Sequence, residues 1–232
     1  MITVTALENL GHFKNDWLEA RYHFSFSGHR DPARMGMGTL RVWNDDTIQV
    51  GGTFPPHPHR DMEIITYLRR GAITHEDNLG NRGVTVAGNV QVMSAGSGIT
   101  HSESNLEDDL TTLFQIWIQP AEMNITPVWE TRDFPGDARA GRLHALASGR
   151  AGDEGALEIH QDAAVMGATL APGEEVVHGL ADNRQAYLVP AMGELLINGI
   201  TAPERAGVQI SGEEQVTIKA LSQAEVVLVD VA

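Results

Sequence analysis

Residues 51–63 read GGTFPPHPHRDME, and this stretch predicts both the fold and the site. His57 and His59 are two positions apart, and side chains at positions i and i+2 of a β-strand project to the same face. The three prolines around them cannot donate hydrogen bonds to a strand ladder, which favours an edge strand or the mouth of a barrel. The stretch therefore predicts a strand that presents two imidazoles together.

A second stretch, GSGITHSESN at residues 96–105, has the same spacing with one histidine and one carboxylate. His101 and Glu103 would share one face of their strand. The glycines before them indicate a sharp turn that brings this pair in. If the two strands face each other inside a barrel, three imidazoles and one carboxylate converge. Such a set suits a divalent metal and leaves positions for water, substrate or dioxygen.

The composition limits the chemistry. The 232 residues include ten histidines and no cysteine, which excludes disulfides, thiolate nucleophiles, zinc fingers and iron–sulfur clusters. Any metal must therefore be held by His, Asp or Glu. The 31 acidic residues outnumber the 16 Lys and Arg, for a formal net charge of −15, which argues against a nucleic-acid partner.

The N-terminal residues and the apolar runs favour a protein of the cytoplasm. The first residues, MITVTALE, have no basic stretch followed by an apolar core, so we expect no secretory signal. No run approaches 18 apolar residues, so we expect no membrane partner. Both expectations favour a cytoplasmic location.

Short apolar runs separated by glycine and proline predict an all-β chain. They have strand length and many β-branched or aromatic residues, as in residues 39–43, 62–68 and 113–118 of the first half. Residues 185–190 and 225–231 are similar apolar runs of strand length in the second half. Asn198-Gly199 is a strong hairpin signal. Helical periodicity is weak throughout.

Two polar, glycine-rich stretches, residues 133–141 and 148–155, suit a linker or long loops. We therefore predict an N-terminal metal-binding domain at 1–133 and a C-terminal domain at 134–232.

The C-terminal half has no second metal pattern. It offers His178 alone, with Leu180 where a second histidine would stand. We expect this half to lack metal ligands, and we expect His178 and His160 to be structural or surface residues.

The spacing Gly51-x5-His57-x-His59-x3-Glu63 resembles the first motif of the cupins. The second motif is looser. Ser94 stands where cupins often have proline, and the gap from Gly96 to the following histidine is two residues longer than usual. These departures, together with the His-x-Glu pair, resemble the pirin branch of the cupins. Other stretches that resemble it include LRVWNDD at 40–46, SAGSGI at 94–99 and LFQIWI at 113–118.

This resemblance is dense over residues 10–130 and implies a bicupin fold: two tandem jelly-roll-like β-barrels, with metal in the N-terminal barrel only. It carries the metal ligands onto His57, His59, His101 and Glu103. Glu63 is the competing carboxylate, because ordinary cupins use the glutamate of the first motif. Geometry favours Glu103, which shares a strand face with His101, and leaves Glu63 as a core or supporting residue. Either carboxylate could serve as the catalytic base.

The resemblance implies one divalent cation, with Fe²⁺ preferred and Mn²⁺, Ni²⁺, Co²⁺, Cu²⁺ or Zn²⁺ as alternatives. The segment His160-Gln161-Asp162 looks most like short bacterial pirin-like quercetin 2,3-dioxygenases. The implied reaction opens the central ring of a flavonol with O₂, giving a depside and carbon monoxide. The alternatives are a non-catalytic metal- or redox-sensing module that binds a protein partner, and another cupin enzyme, either an isomerase or a different dioxygenase.

Two further groups of residues have open roles. His75 lies in a stretch that reads first as a turn, but it could support the ligands from behind. Six aromatic residues alternate mostly along predicted strands, so core packing is expected, although one or two could line a pocket for a flat aromatic substrate. They are Phe24, Phe26, Trp43, Phe54, Phe114 and Trp117.

Overall fold

The computed structural model describes residues 1–134 and 136–232. These residues form 22 β-strands and two short 3-10 helices, Leu7–Asn9 and Gly136–Arg139, and no α-helix. The prediction of an all-β chain is therefore confirmed. Pro135, inside the predicted linker, lies outside the described residues. None of the helices in the described part of the chain is long and apolar enough to cross a membrane.

The strands follow one another with short connections. Strands β1 to β12 are Ile2–Thr5, Gly11–Lys14, Leu18–Tyr22, Leu40–Ile48, Thr53–His59, Glu63–Arg70, Ala72–Asp77, Arg82–Val86, Asn89–Ser94, Ile99–Ser104, Thr111–Ile118 and Val128–Asp133. Strands β13 to β22 are His144–Ser148, Leu157–Glu158, Ala163–Leu170, Glu175–Gly179, Gln185–Met192, Leu195–Ile197, Ile200–Ala202, Gly207–Ser211, Gln215–Ala220 and Ala224–Val231.

The chain divides into two compact units. The N-terminal unit contains Gly11–Phe134 and Leu157–Gln161, and the C-terminal unit contains Met1–Leu10, Pro135–Ala156 and Asp162–Ala232. The first strand belongs to the C-terminal unit because β1 pairs with β20 in antiparallel register. A domain boundary between residues 133 and 134 stays our proposal. In the structure two segments belong to the opposite unit from the one that this boundary would give them: residues 1–10 belong to the C-terminal unit and residues 157–161 to the N-terminal unit.

The N-terminal unit contains two antiparallel sheets. Seven strands run in the order β12-β9-β6-β11-β4-β3-β2, and four run in the order β5-β10-β7-β8. The proline-rich strand β5 is at the edge of the smaller sheet, as predicted from its missing N–H donors. The turn before β10 is also as expected, since Gly96 has φ of +42° and a Cβ there would lie 2.2 Å from the Ile125 carbonyl oxygen.

Strand β10 differs from the strands that only build the core. Its residues alternate between buried and half-buried positions, and the buried ones are Ile99, His101 and Glu103. A strand that buries one face normally fills that face with apolar side chains. The inward face of β10 instead carries an imidazole and a carboxylate, which marks the place where a site replaces core.

The C-terminal unit is also built from antiparallel strands. Within it, β1-β20-β17-β22-β15-β13 form one sheet and β16-β21-β18-β19 form another. The hairpin predicted at Asn198-Gly199 joins β18 to β19, and both residues have positive φ, of +44° and +84°. The core of the C-terminal unit is almost purely aliphatic and includes Leu188, Ile218 and Leu228, each fully buried. Burying one such side chain stabilises a fold by about 1.5–3 kcal/mol.

Candidate metal centre

The pairing of β5 with β10 brings three histidines together. His57 lies directly opposite His101 in the register, and their Nε2 atoms are 3.1 Å apart. The ring centroid of His59 is 4.8 Å from that of His57 and 5.0 Å from that of His101. These three residues form a group in which one nitrogen from each lies within 4.8 Å of the others, so they could hold a metal ion.

The environment of this group keeps the imidazoles of His59 and His101 neutral. Burial, reinforced by the neighbouring histidines, lowers the pKa of His101 to about 2. Burial and the His57 ring lower the pKa of His59 to about 4. A metal binds the neutral imidazole and not the imidazolium, so both side chains are ready to coordinate at neutral pH.

The contacts of His57 fix which of its nitrogens is free. Its Nδ1 lies 2.8 Å from the Pro55 carbonyl oxygen, which can only accept a hydrogen bond. Nδ1 therefore carries the proton, and the lone pair of Nε2 points towards His101. A nitrogen separation of 3.1 Å fits two ligands at neighbouring positions of one ion with metal–nitrogen bonds of about 2.1 Å. The donor set thus fits a divalent transition metal.

The structure places Glu103 beside His101, but in a second group. The register of β10 against β5 shifts between the two residues, so that Glu103 lies opposite Phe54. The second group that could hold a metal is Glu103, His101 and His75, all buried. The structure therefore brings together three of the four predicted ligands in one group and links the fourth through His101. The complete four-ligand set stays a prediction.

Two amides hold the Glu103 carboxylate in place. Gln91 Nε2 donates to Oε1 at 2.7 Å, and Gln115 Nε2 donates to Oε2 at 2.8 Å. Burial raises the pKa of Glu103, although nearby histidines and these amides oppose the rise. Sequence reasoning missed both glutamines. The available signal was a polar amide inside an otherwise apolar strand, as in VQV at 90–92 and FQI at 114–116.

Glu63 belongs to neither group among the described residues. It starts β6 in the larger sheet and is fully buried. Its Oε2 accepts a hydrogen bond from Ser94 Oγ at 2.6 Å, and its Oε1 lies 3.7 Å from His160 Nδ1. Burial raises the pKa of Glu63 above its usual range. His160 therefore lies near Glu63, and the expectation that it is a structural or surface residue stays a prediction.

His178, in the C-terminal unit, is part of an ion-pair network. Its Nε2 lies 2.8 Å from Asp230 Oδ2, and Arg184 and Arg150 also donate to that carboxylate at 2.6 and 2.8 Å. Neither candidate metal group among the described residues includes it. The expectation that His178 is structural agrees with these contacts.

A cavity of about 260 Å³ opens beside His57 and His59. This volume is near the lower end of the roughly 300–1,000 Å³ typical of small-molecule pockets. Three of the six aromatic residues considered above line it, and they are Phe26, Phe54 and Trp117. The other three, Phe24, Trp43 and Phe114, are core residues with no more than 1% exposure.

Two polar side chains on β4, Asn44 and Asp46, line the same cavity, and neither was singled out from the sequence. The Oδ1 atom of each is buried and accepts no hydrogen bond from the described residues. Burial, together with the charges of Asp45 and Glu103, raises the pKa of Asp46 well above its usual range. The cavity therefore combines aromatic walls with two polar side chains.

Comparisons with known proteins agree with this description. Residues 4–118 match the family model described as Pirin, and residues 145–231 match the one described as Quercetinase C-terminal cupin domain. A pirin-like protein from Caulobacter vibrioides is 53% identical over 232 residues, the full length of both chains. A quercetin 2,3-dioxygenase from Escherichia coli K12 is 40% identical over 231 residues, covering 99% of this chain and 98% of that protein.

A solved structure has the same fold. It is that of the bacterial pirin YhhW from Escherichia coli in complex with nickel(II), and it matches with a TM-score of 0.94 at 39% identity, covering 100% of this chain and 99% of that one. The resemblance drawn from the two histidine motifs is thereby confirmed, as is the expectation of two cupin domains. With relatives of this similarity along its whole length, the chain belongs to the pirin family.

Proposed function

We propose that this protein is a metal-dependent dioxygenase that opens the central ring of flavonols such as quercetin, giving a depside and carbon monoxide. The observation that carries the proposal is the position of the His57–His59–His101 group, with two of its members on the wall of an aromatic-lined cavity. The similarity to a protein named quercetin 2,3-dioxygenase supports the choice of substrate.

In this proposal His57, His59, His101 and Glu103 hold one divalent cation. When bound, the cation supplies Lewis acidity that favours ionisation of a flavonol hydroxyl and so prepares the substrate for O₂. The donor set accepts several metals, and Fe²⁺ is the one we propose. A related pirin has nickel(II) bound, which makes Ni²⁺ the first competitor to test.

Glu103 is our proposed proton acceptor. Its two oxygens each receive one amide hydrogen bond, and a carboxylate oxygen has a second lone pair that remains available. A raised pKa makes this carboxylate a stronger base than an exposed one. Glu63, the competing carboxylate, is engaged with Ser94 and lies near His160, and we assign it a supporting role.

The cavity walls support the choice of a flat polyphenol as substrate. Phe26 and Trp117 lie edge to face at 5.5 Å, and Trp117 is also edge to face with His59 at 4.9 Å. Such faces and edges pack well against an aromatic ring system. Asn44 and Asp46 also line the cavity, and hydrogen bonds from such polar side chains to ring hydroxyls would favour a hydroxylated substrate over a plain hydrocarbon.

The test is metal analysis of the purified protein coupled to quercetin turnover with and without air. We expect about one metal per chain, O₂ uptake that matches quercetin loss, and release of carbon monoxide. The variant His101→Ala serves as the metal-free control. Quercetin loss without O₂ uptake would favour an isomerase, and metal-dependent binding of a protein partner with negligible kcat would favour a sensor. Either result contradicts the proposal.

A further inference from the structure

A second imidazole lies directly behind His101, on the side away from His57. His75 Nδ1 is 3.3 Å from His101 Nδ1, and His75 Nε2 is 3.0 Å from Asp77 Oδ2. The side chains of His75 and Asp77 are both fully buried. The His75 ring also stacks on Trp129, with centroids 4.8 Å apart and planes 9° apart, so its orientation is fixed.

The Asp77 carboxylate is a pure acceptor at the end of this chain of contacts. The backbone N–H groups of Leu79 and Asn81 donate to its Oδ1 at 2.9 and 3.0 Å. The Asn81 side-chain amide donates to Oδ2 at 2.8 Å. An ionised carboxylate can only accept hydrogen bonds, so the nitrogen of His75 that faces it must carry a proton.

The remaining protons follow from one rule: a neutral imidazole has one N–H and one lone pair. His75 has its proton on Nε2, so its Nδ1 is an acceptor. The nitrogen that faces this acceptor, Nδ1 of His101, must then be the donor. His101 Nε2 is left with its lone pair directed at His57 Nε2, 3.1 Å away. The hydrogen-bond pattern at Asp77 thus determines that His101 Nε2, at the far end of the two rings, carries no proton.

We propose that His75 and Asp77 are positioning residues that hold His101 in the tautomer whose Nε2 can bind a metal. The inference rests on the proposed function, in which His101 is a ligand. Ligating histidines commonly donate their other N–H to a carboxylate or a carbonyl, which fixes the tautomer and makes the ligating nitrogen more basic. His57 does so with the Pro55 carbonyl, and His101 does so with Asp77 through His75.

The same geometry argues against a second metal between His75, His101 and Glu103. Both facing Nδ1 atoms would need lone pairs there, while His101 Nε2 also faces the first site. His101 would have to lose its last ring proton to serve both sites. One metal per chain is therefore the expected stoichiometry, and two metals per chain would overturn the assignment.

The variant Asp77→Asn reverses the chain of donors with little change in shape. The two backbone N–H groups at the Oδ1 position are fixed donors and select the amide oxygen there, so the amide nitrogen faces His75. The Asn81 amide, which donates to Oδ2 in the wild type, must turn to present its oxygen. His75 Nε2 then accepts, its Nδ1 donates, and His101 Nδ1 must accept. We expect His101 to carry its proton on Nε2 in this variant, which blocks the nitrogen that faces the metal.

The primary readout is the ¹⁵N chemical shifts of the His101 ring in metal-free protein, which identify the tautomer without any metal. We expect the proton on Nδ1 in the wild type and on Nε2 in Asp77→Asn. The second readout is metal affinity, measured by competition with a chelator for Ni²⁺ and Fe²⁺. Loss of a residue that orients a ligand from behind weakens binding about 10- to 100-fold, and we expect a loss of that size.

Glu76→Gln is the matched control. Glu76 is the neighbour of Asp77 on the same strand, is exposed, and pairs with Arg82 at 2.9 Å. The substitution removes one negative charge near the site and leaves the contacts of the His75 side chain in place. The tautomer of His101 and the metal affinity should therefore both stay as in the wild type. A second variant, His75→Phe, keeps the stacking on Trp129 and removes both ring nitrogens. It should weaken metal binding even if Asp77→Asn folds poorly.

The outcomes separate this inference from the proposed function. If His101 has the same tautomer in the wild type and in Asp77→Asn, the inference is wrong, whatever metal the protein binds. Unchanged affinity in both Asp77→Asn and His75→Phe, against a metal-binding wild type, also overturns it. A wild type that binds no metal contradicts the proposed function, while the tautomers of the metal-free protein still test the chain from Asp77 to His101.

Discussion

The two units of this molecule place buried histidines in opposite situations. In the N-terminal unit, His101 is buried among other imidazoles, and one of its nitrogens faces another lone pair. In the C-terminal unit, the nitrogen of His178 is engaged by Asp230, which also receives two arginines. A nitrogen that faces another imidazole nitrogen can turn its lone pair to a shared metal, and one that is fully paired with a carboxylate contributes to stability instead.

The cores differ in the same sense. The C-terminal unit buries an almost purely aliphatic cluster, whereas in the N-terminal unit the inward face of β10 carries His101 and Glu103, and β9 and β11 of the larger sheet supply the two glutamines that hold Glu103. Buried polar groups cost free energy unless they are hydrogen-bonded, and both carboxylate oxygens of Glu103 are. Both units are built from antiparallel sheets, but the buried face holds a candidate site in the N-terminal unit and an aliphatic core in the C-terminal unit.

The largest expected effect is on the histidine group itself. His57→Ala or His101→Ala removes a ligand from the centre, so we expect loss of bound metal and of O₂ uptake with quercetin. Metal analysis by mass spectrometry and an oxygen electrode measure the two losses. Full metal content in both variants would show that these histidines are not metal ligands, and the contrast between the two units would then be wrong.

The next effect concerns the network around Asp230. Asp230→Asn leaves two arginines without their carboxylate in a largely buried position, which should lower the free energy of unfolding by about 3 kcal/mol. Urea unfolding measures this change in the free energy of unfolding. Metal content is the control and should stay as in the wild type. A stability equal to that of the wild type would show that the network is not what holds this unit.

A third comparison ranks the two buried carboxylates. Glu103→Ala should weaken metal affinity at least about tenfold more than Glu63→Ala, because Glu103 is grouped with His101 and Glu63 is engaged with Ser94 instead. Calorimetric titration with Ni²⁺ gives both values. The reverse ranking would make Glu63 the fourth ligand.

Acid should weaken the C-terminal network in a defined direction. Burial alone would raise the pKa of Asp230, but hydrogen bonds from His178 and Arg184 hold it below its ordinary value. A carboxyl with a lowered folded-state pKa adds stability above its unfolded value of about 3.9, and that stability is lost as the pH falls through the folded-state pKa. Urea unfolding below pH 4 should show a steeper loss in the wild type than in Asp230→Asn.

The smallest expected effect is that of His178 on catalysis. His178→Ala leaves both arginines on Asp230 and lies outside the candidate metal groups, so kcat should change by less than about twofold. Steady-state kinetics with quercetin measure this. A large loss of kcat would mean that the C-terminal unit takes part in the chemistry.

The sequence by itself predicted much of this protein, because strand geometry is local. Side chains two residues apart share a face, so HPH at 57–59 and HSE at 101–103 indicated two pairs of candidate ligands without any knowledge of the fold. The hairpin at Asn198-Gly199 followed from positive φ angles that these residue types tolerate. The absence of cysteine restricted the donors to His, Asp and Glu.

Only the tertiary structure decided how these pieces meet, because strand pairing joins residues far apart in the chain. The register that sets His101 opposite His57 spans 44 positions, and its shift before Glu103 depends on how β10 lies against β5. The same holds for the amides on Glu103, for His160 near Glu63, and for the chain from Asp77 through His75. Each depends on long-range packing, which no local period of the sequence encodes.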